Sequence, residues 1–400
     1  MPHIVFNNNG ELITPSNKDG VDFKFIAKSY NVSEKPKKTE YKIGVSNQTK
    51  DFLLTLKDNK DNKIVKADKV TRVTPVTIVK NALNTFVKHT DANVIFSNTN
   101  NFSQKQEPQK EYLKDIEYFV NEFETTNEIQ IEIGFGSGRH LLYQAQNNPD
   151  VQFIGLEIHT PSIEQVLKQI KILNIKNIIV VNYDARLFME FIKSNSVGKI
   201  FVHFPVPWDK KPHRRVYSND FIYEAKRVLK FTGTLELRTD SRKYFDFCVE
   251  LLTNLSSGKI EIDINKDLPI SSKYEDRWKK QNKNIYDVTL HSYTIDEEIE
   301  PNKDFSFEKI NNLIKTFENI SQESVIFDDY FYHIEDFYLI ENEKNSGLIQ
   351  VTFGSFNRPL SKYLIIRDGI ISYYQGKPIP TSSNIKAHNK MKEILNNDYC

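Results

Sequence analysis

Between residues 129 and 239 the apolar positions fall in short runs, Ile129–Ile133, Phe153–Glu157, Asn177–Asn182, Lys199–Phe204 and Gly233–Thr239, separated by segments of helix length. One such segment, Ile163–Leu173, places its apolar residues at helical spacing. Strands alternating with helices predict an α/β fold with an open, mostly parallel sheet covered on both faces. Ligands of such sheets bind beyond the carboxyl ends of the strands, so chemistry is expected just after each run.

The flanks read differently. Residues 1–96 carry alternating runs, including Phe52–Leu56 and Ile64–Ala67 on either side of a Lys/Asn/Asp turn, which predict a hairpin in a β-rich N-terminal accessory region. Of residues 97–110 only Phe102 is apolar, which marks a linker. The α/β domain is expected over 111–295. Past it, the acidic stretch Asp296–Glu300 reads as a solvated linker. A helix near Phe307–Asn319 and aromatic-rich β-type runs to Tyr374 then predict an α+β C-terminal extension over 296–400.

Composition removes several classes of function. The 400 residues carry 54 Lys+Arg against 53 Asp+Glu, a formal charge of +1, so any basic patch is local. Two cysteines, Cys248 and Cys400, make neither a zinc site nor a disulfide framework, and the nine histidines show no ligand spacing, so no metal is expected. The longest aliphatic run, Ile178–Val181, is far short of the ~20 residues of a membrane span. No membrane partner is therefore expected, and the expected compartment is the cytoplasm. Aromatic residues at 12% argue for a folded chain.

The strongest local signal is Glu132-Ile-Gly134-Phe-Gly136-Ser-Gly138-Arg139, between the first β-type run and a helical one. Alternating glycines let the backbone turn tightly and let a ligand lie against it. A nicotinamide fingerprint would need glycine where Arg139 stands, which disfavours an oxidoreductase. The loop resembles instead the first motif of class I methyltransferases that use S-adenosyl-L-methionine. Glu157 ends the next run nineteen residues after Gly138, the distance at which a strand-end acid reaches a ribose, and Asp184 ends the third within reach of an adenine amino group. Singly, each acid is an ordinary solvated strand end. In register with the loop, Glu132, Glu157 and Asp184 are assigned, with Gly134, Gly136 and Gly138, to cofactor binding.

After the fourth run comes Phe204-Pro-Val-Pro-Trp208, then Lys210 and His213-Arg214-Arg215. Two prolines stiffen this turn and Trp208 offers a stacking face. Phe201–Tyr244 holds ten Lys/Arg against five Asp/Glu, a concentration that suits a phosphate backbone, with Lys210, Arg214 and Arg215 as its candidate contacts.

Together with Leu237-Arg-Thr-Asp240 and Ser271-Ser-Lys-Tyr-Glu275-Asp-Arg277, these motifs resemble the bacterial tRNA (guanine-N7-)-methyltransferases over roughly residues 115–293. The resemblance implies a Rossmann-like class I methyltransferase domain that methylates N7 of a guanine in the tRNA variable loop. It implies that Lys210, Asp240, Ser272 and Glu275 contact the tRNA; of these, the carboxylates Asp240 and Glu275 are the candidates for gripping the guanine N1 and N2 hydrogens. The family pattern is Phe-Pro-Asp-Pro-Trp, with its Asp at the catalytic centre, whereas this chain has Val206 there. Two further readings therefore stay open: a methyltransferase acting on another RNA base, and a non-catalytic protein that binds tRNA and cofactor.

Overall fold

The computed structural model describes residues 1–7, 11–32, 39–48, 50–58, 62–99, 111–271, 273–299 and 303–396. The chain divides into two compact units, one of Gln106–Pro301, the other of Met1–Lys105 together with Asn302–Cys400.

The first unit runs β1 (Leu113–Lys114), α1 (Ile116–Asn121), β2 (Glu128–Ile133), α2 (Arg139–Asn147), β3 (Val151–Leu156), α3 (Thr160–Ile172), β4 (Ile178–Val181), α4 (Ala185–Phe188), β5 (Val197–His203), α5 (Asn219–Val228), β6 (Leu229–Thr239), α6 (Arg242–Thr253), β7 (Lys259–Ile264), α7 (Lys273–Lys280) and β8 (Tyr286–His291). The eight strands lie in the order β7-β8-β6-β5-β2-β3-β4-β1. β1 to β6 pair in parallel, while β8 runs antiparallel to both β6 and β7. Strand order reverses between β2 and β5, which opens the crevice where such sheets take their ligands.

Local sequence explains these elements. β2 is buried on both faces, with Gln130 and Glu132 as enclosed as Ile129, Ile131 and Ile133, as expected of a central strand. α3 opens on a proline in its first turn and buries Ile163, Val166, Leu167 and Ile170, one stripe at helical spacing. Ser218 caps α5 by accepting from the Phe221 N–H, and Ser241 caps α6 by accepting from the Tyr244 N–H. Within the acidic stretch read as a solvated linker, Glu297 and Glu298 are exposed, and Asp296–Glu298 are also hydrogen-bonded to this unit. Asn195 exchanges hydrogen bonds with the Asp296 backbone, and Ser194 donates its hydroxyl to the Glu297 carbonyl.

In the second unit the N- and C-terminal segments, set out above as separate accessory regions, share one twelve-stranded sheet. Every pairing in it, among the described residues, is antiparallel. The segments meet where Phe331–Ile340 pairs with Val21–Tyr30, from Phe337 opposite Tyr30 to Ile340 opposite Ala27. The expected hairpin is present as Lys50–Asp58 paired with Lys63–Ala67. Two helices not anticipated from sequence, Val76–His89 and Ser382–Asn396, cover the apolar cores of the two halves. The helix expected near Phe307–Asn319 is confined to Leu313–Asn319, because Asn312 caps it by accepting from Lys315 N–H and so fixes a later start.

A buried polar cluster ties these segments across the sheet. Lys42 Nζ lies 2.9 Å from Asp68 Oδ2, which also accepts from the Tyr363 hydroxyl at 3.0 Å. Both charged side chains are almost fully enclosed. Burial works against the Asp68 carboxylate, yet Lys42 and the backbone N–H groups of Val70 and Thr71 hold its pKa below the ordinary value. Without Asp68, Lys42 keeps Glu40 as its counter-ion at 2.6 Å, while the Tyr363 hydroxyl and the Val70 and Thr71 N–H groups lose an acceptor. Asp68→Ala should therefore lower the unfolding free energy of this unit by about 1–3 kcal/mol, the cost of buried donors left without an acceptor, read as a lower urea midpoint.

Candidate active site

Sheet register decides which side chains meet. Val181, Leu156, Ile133, Val202 and Leu237 pair in one row across β4, β3, β2, β5 and β6. The residues that follow them, including Glu157, Gly134, His203 and Arg238, accordingly share the carboxyl edge of the sheet.

Gly134, Gly136 and Gly138 have φ of 69°, 52° and 71°, in the left-handed region. A Cβ on Gly138 would lie 2.4 Å from Val166 Cγ2, so glycine there lets α2 pack on α3. A Cβ on Gly134 would meet nothing within 4 Å: the outer face of the loop is bare backbone, open to a flat ligand. The Gly136 N–H donates to Glu157 Oε2 at 3.0 Å, while Glu157 Oε1 accepts from the N–H groups of Ile158 and His159 at 2.8 and 2.9 Å. A fixed carboxylate beside an exposed glycine backbone suits the paired hydroxyls of a ribose, so the residues present fit a nucleoside-bearing cofactor.

The other two acids are placed differently. Glu132 is buried beneath the loop, where Oε2 accepts from His140 Nδ1 at 2.8 Å, and the His140 ring packs 4.5 Å from that of His203. Asp184 caps α4 through the Arg186 N–H and accepts from Arg186 Nε and Nη2 at 3.0 and 2.7 Å.

The Phe204–Trp208 turn holds two non-glycine residues in the left-handed region, Phe204 at φ 50° and Trp208 at φ 46°. Such conformations persist only where surroundings enforce them. The Phe204 N–H donates to the Arg238 carbonyl at 2.6 Å, and Arg215 Nε donates to the Pro207 carbonyl at 2.8 Å. Arg215 is 8% exposed and packs 4.4 Å from the Phe247 ring centre. This corrects its assignment as a phosphate contact, because a buried guanidinium committed to the turn presents no cation to solvent. Lys210 and Arg214 are exposed, and Arg214 stacks over Trp208 at 5.2 Å. Val206 is 60% exposed.

Arg238, inside the Leu-Arg-Thr-Asp motif, is 1% exposed. Its Nη1 donates to both oxygens of Asp287 at 2.7 and 2.8 Å, and its Nη2 to Glu275 Oε1 and the Lys266 carbonyl, each at 2.8 Å. Glu275 is itself 1% exposed, which corrects the expectation that it grips a base edge: its carboxylate neutralises Arg238. The neighbouring Asp276 pairs with Arg139 at 2.8 Å; hydrogen bonds from Ser271 and Arg139 hold its pKa below the ordinary value. Asp240 is one-fifth exposed and lies 3.2 Å from Lys283 Nζ. Ser272 lies outside the described residues.

Sequence reasoning missed Arg186, Arg238 and Lys283, and gave His140 little weight. Arg238 carried no clear signal, because its strand also holds Lys230 and Glu236 and the alternation alone does not say which charge is enclosed. Among the described residues no His/Cys/Asp/Glu group could hold a metal ion, and no helix is long and apolar enough to cross a membrane.

A family model described as "Putative methyltransferase" matches residues 126–288. The chain is 44% identical to the tRNA (guanine-N(7)-)-methyltransferase of Wolinella succinogenes, over 80% of this chain and 81% of that one. It is 39% identical to the protein of the same name from Campylobacter fetus subsp. fetus, over 99% of both chains. The protein of that name from Helicobacter hepaticus matches at 39% identity, again over 99% of both.

His203 supplies a pH-dependent test of this edge. Burial, then the neighbouring His140 and Arg238, push its pKa well below 6.5, so it is neutral when folded, whereas the unfolded chain takes up a proton near pH 6.5. Its contribution to stability is complete above about pH 6.5 and is lost as pH falls below it. His203→Asn should shrink the drop in melting temperature between about pH 6.5 and 5, measured beside the parent chain.

Proposed function

The chain belongs to the tRNA (guanine-N(7)-)-methyltransferase family, and from that premise we propose that its carboxyl edge transfers a methyl group from S-adenosyl-L-methionine to N7 of a guanine in the tRNA variable loop. The observation that carries this reading is the single register row that brings the glycine loop, Glu157 and the Arg238–Asp240 turn to one edge. S-adenosyl-L-methionine, when bound, supplies a methyl group activated by its sulfonium.

The protein's part is positioning and electrostatics. The Gly134–Gly138 backbone seats the cofactor, and Glu157 accepts from the ribose hydroxyls. Asp184, held by Arg186, lies at the adenine end. Glu132 supports the loop from below through His140. Asp240 accepts from the guanine N1 and N2 hydrogens, which distinguishes guanine from adenine. Lys210 and Arg214 meet phosphates, and Trp208 offers its face to a base.

Guanine N7 attacks with a lone pair and carries no proton. The N7–carbon bond forms as the carbon–sulfur bond breaks, the electron pair leaves with sulfur, and no general base is required. What lowers the barrier is alignment of nucleophile, carbon and leaving group, together with carboxylates close to a ring that becomes cationic. Val206 in place of the family's Asp is compatible with this chemistry. The same substitution favours the second reading, a protein that binds tRNA and cofactor without transfer.

Labelled S-adenosyl-L-methionine incubated with tRNA lacking N7-methylguanosine separates the two. Label recovered as N7-methylguanosine establishes transfer, whereas binding of both ligands with no label transferred establishes the second reading. Glu157→Gln should raise the dissociation constant of S-adenosylhomocysteine about tenfold or more, since a hydrogen bond to a charged group contributes ~1.5–3 kcal/mol. Arg214→Ala should lower the slope of log affinity for tRNA against log salt by about 0.7–0.9. Arg215→Ala should leave that slope unchanged and lower the melting temperature, because its guanidinium holds the Pro207 carbonyl.

A further inference from the structure

The charge of the chain is unevenly spread. Residues 1–99 hold sixteen Lys/Arg against ten Asp/Glu, although the whole chain has an excess of one. In the second unit, sheet register gathers part of that excess on one face. Lys42, Thr55, Lys66 and His3 form one cross-strand row, and Lys57, Ile64, Val5 and Phe96 form the next. Paired residues, and residues two apart on one strand, project to the same side of a sheet. The alternate positions Ile4, Leu54 and Val65 pack into the core beneath helix Val76–His89, so both rows lie on the opposite side. At one end this face enters the buried Lys42–Asp68 centre. From Lys57 outward it reaches solvent.

The open part combines cations with rings. Phe96 is 50% exposed, and its ring centre lies 5.4 Å from that of His3. Lys57 shares the Glu40 carboxylate with Lys42, whereas neither Lys66 nor the exposed Lys69 has an ion-pair partner among the described residues. Burial and then Lys57 push the Lys66 pKa below its ordinary value; Glu40 opposes them, and Lys69 and Lys42 add to them. Cations crowded in this way are relieved by an anion. We propose that this face is an RNA-binding surface, on which Lys57, Lys66 and Lys69 take phosphates of a single strand and the Phe96 ring, beside His3, stacks an unpaired base. The choice of RNA rests on tRNA as the substrate and on the exposed ring, which an isolated phosphate would not use. Lysines on the backbone and aromatic rings on the bases are how unpaired strands are held without reading their sequence. Lys57 and Phe96 stand three strands apart, about 14 Å at ~4.8 Å per strand, the span of a short run of nucleotides. The surface adds affinity for the tRNA and takes no part in methyl transfer.

Anisotropy titrations of the full chain with labelled tRNA over a range of salt provide the test. Lys66→Ala combined with Lys69→Ala should lower the slope of log affinity against log salt by about 1.4–1.8, at ~0.7–0.9 for each phosphate contact. Phe96→Ala should weaken tRNA binding roughly fivefold or more, the range of one stacked base, and Phe96→Tyr should retain it. Lys88→Ala, on the helix side of the sheet where Lys88 pairs with Asp19, should leave the slope as in the parent. S-adenosylhomocysteine affinity and the melting temperature report whether each variant is folded. A slope lowered by Arg214→Ala but not by the double lysine variant overturns the proposal and leaves the tRNA reading intact. A parent chain that shows no salt-dependent tRNA binding overturns both. An equal fall in slope for Lys88→Ala makes the effect one of net charge alone and overturns the proposal. If Phe96→Ala changes the oligomeric state in sedimentation and not the affinity for tRNA, the face is an interface between copies of this chain and the proposal fails.

Discussion

The candidate site is organised by one cation in the interior, the guanidinium of Arg238. An unpaired charge at 1% exposure would be prohibitively costly, so the surrounding chain must supply carboxylates and carbonyls in the right places. Asp287 comes from β8, Glu275 from α7 and the Lys266 carbonyl from the segment after β7. Three elements far apart in sequence are thereby tied to the end of β6. Asp240 follows two residues later, so its position is set by the same arrangement. His203, opposite Arg238 in the sheet, is kept neutral partly by that charge.

A second arginine does similar work on the neighbouring turn. The prolines at 205 and 207 stiffen Phe204–Trp208, but they do not by themselves hold Phe204 and Trp208 in left-handed conformations. Hydrogen bonds from Phe204 N–H to Arg238 and from Arg215 to Pro207 close the turn. The turn then carries an exposed Trp208 with Arg214 stacked on it. The basic run of the sequence is therefore divided in function: Arg215 faces inward and builds the turn, while Lys210 and Arg214 face solvent.

In the unit built from the chain's two ends, the Lys42–Asp68 pair and the Tyr363 hydroxyl form a buried polar centre on the sheet. One end contributes Lys42 and Asp68 and the other Tyr363, so neither segment satisfies the cluster alone. A buried group of this kind favours the one strand pairing that satisfies every member.

The sequence by itself determined the alternating strand and helix order of residues 129–239, the glycine loop with its left-handed turns, the caps at Ser218 and the acids at the strand ends. Each depends on residues close together in the chain: apolar periodicity, backbone freedom at glycine, a hydroxyl two or three residues from an open N–H. The sequence also carried the motif set that matched a family. Only the tertiary structure decided that Arg215 and Glu275 are enclosed, that Asp184 is held by Arg186 and Asp240 by Lys283, and that the two ends of the chain complete one sheet. Those outcomes turn on which side of a buried surface a charge falls and on which distant segment supplies its partner. The penalty for burying a charge is the same wherever it occurs, but its relief comes through contacts that strand register and helix packing create, and local pattern does not encode them.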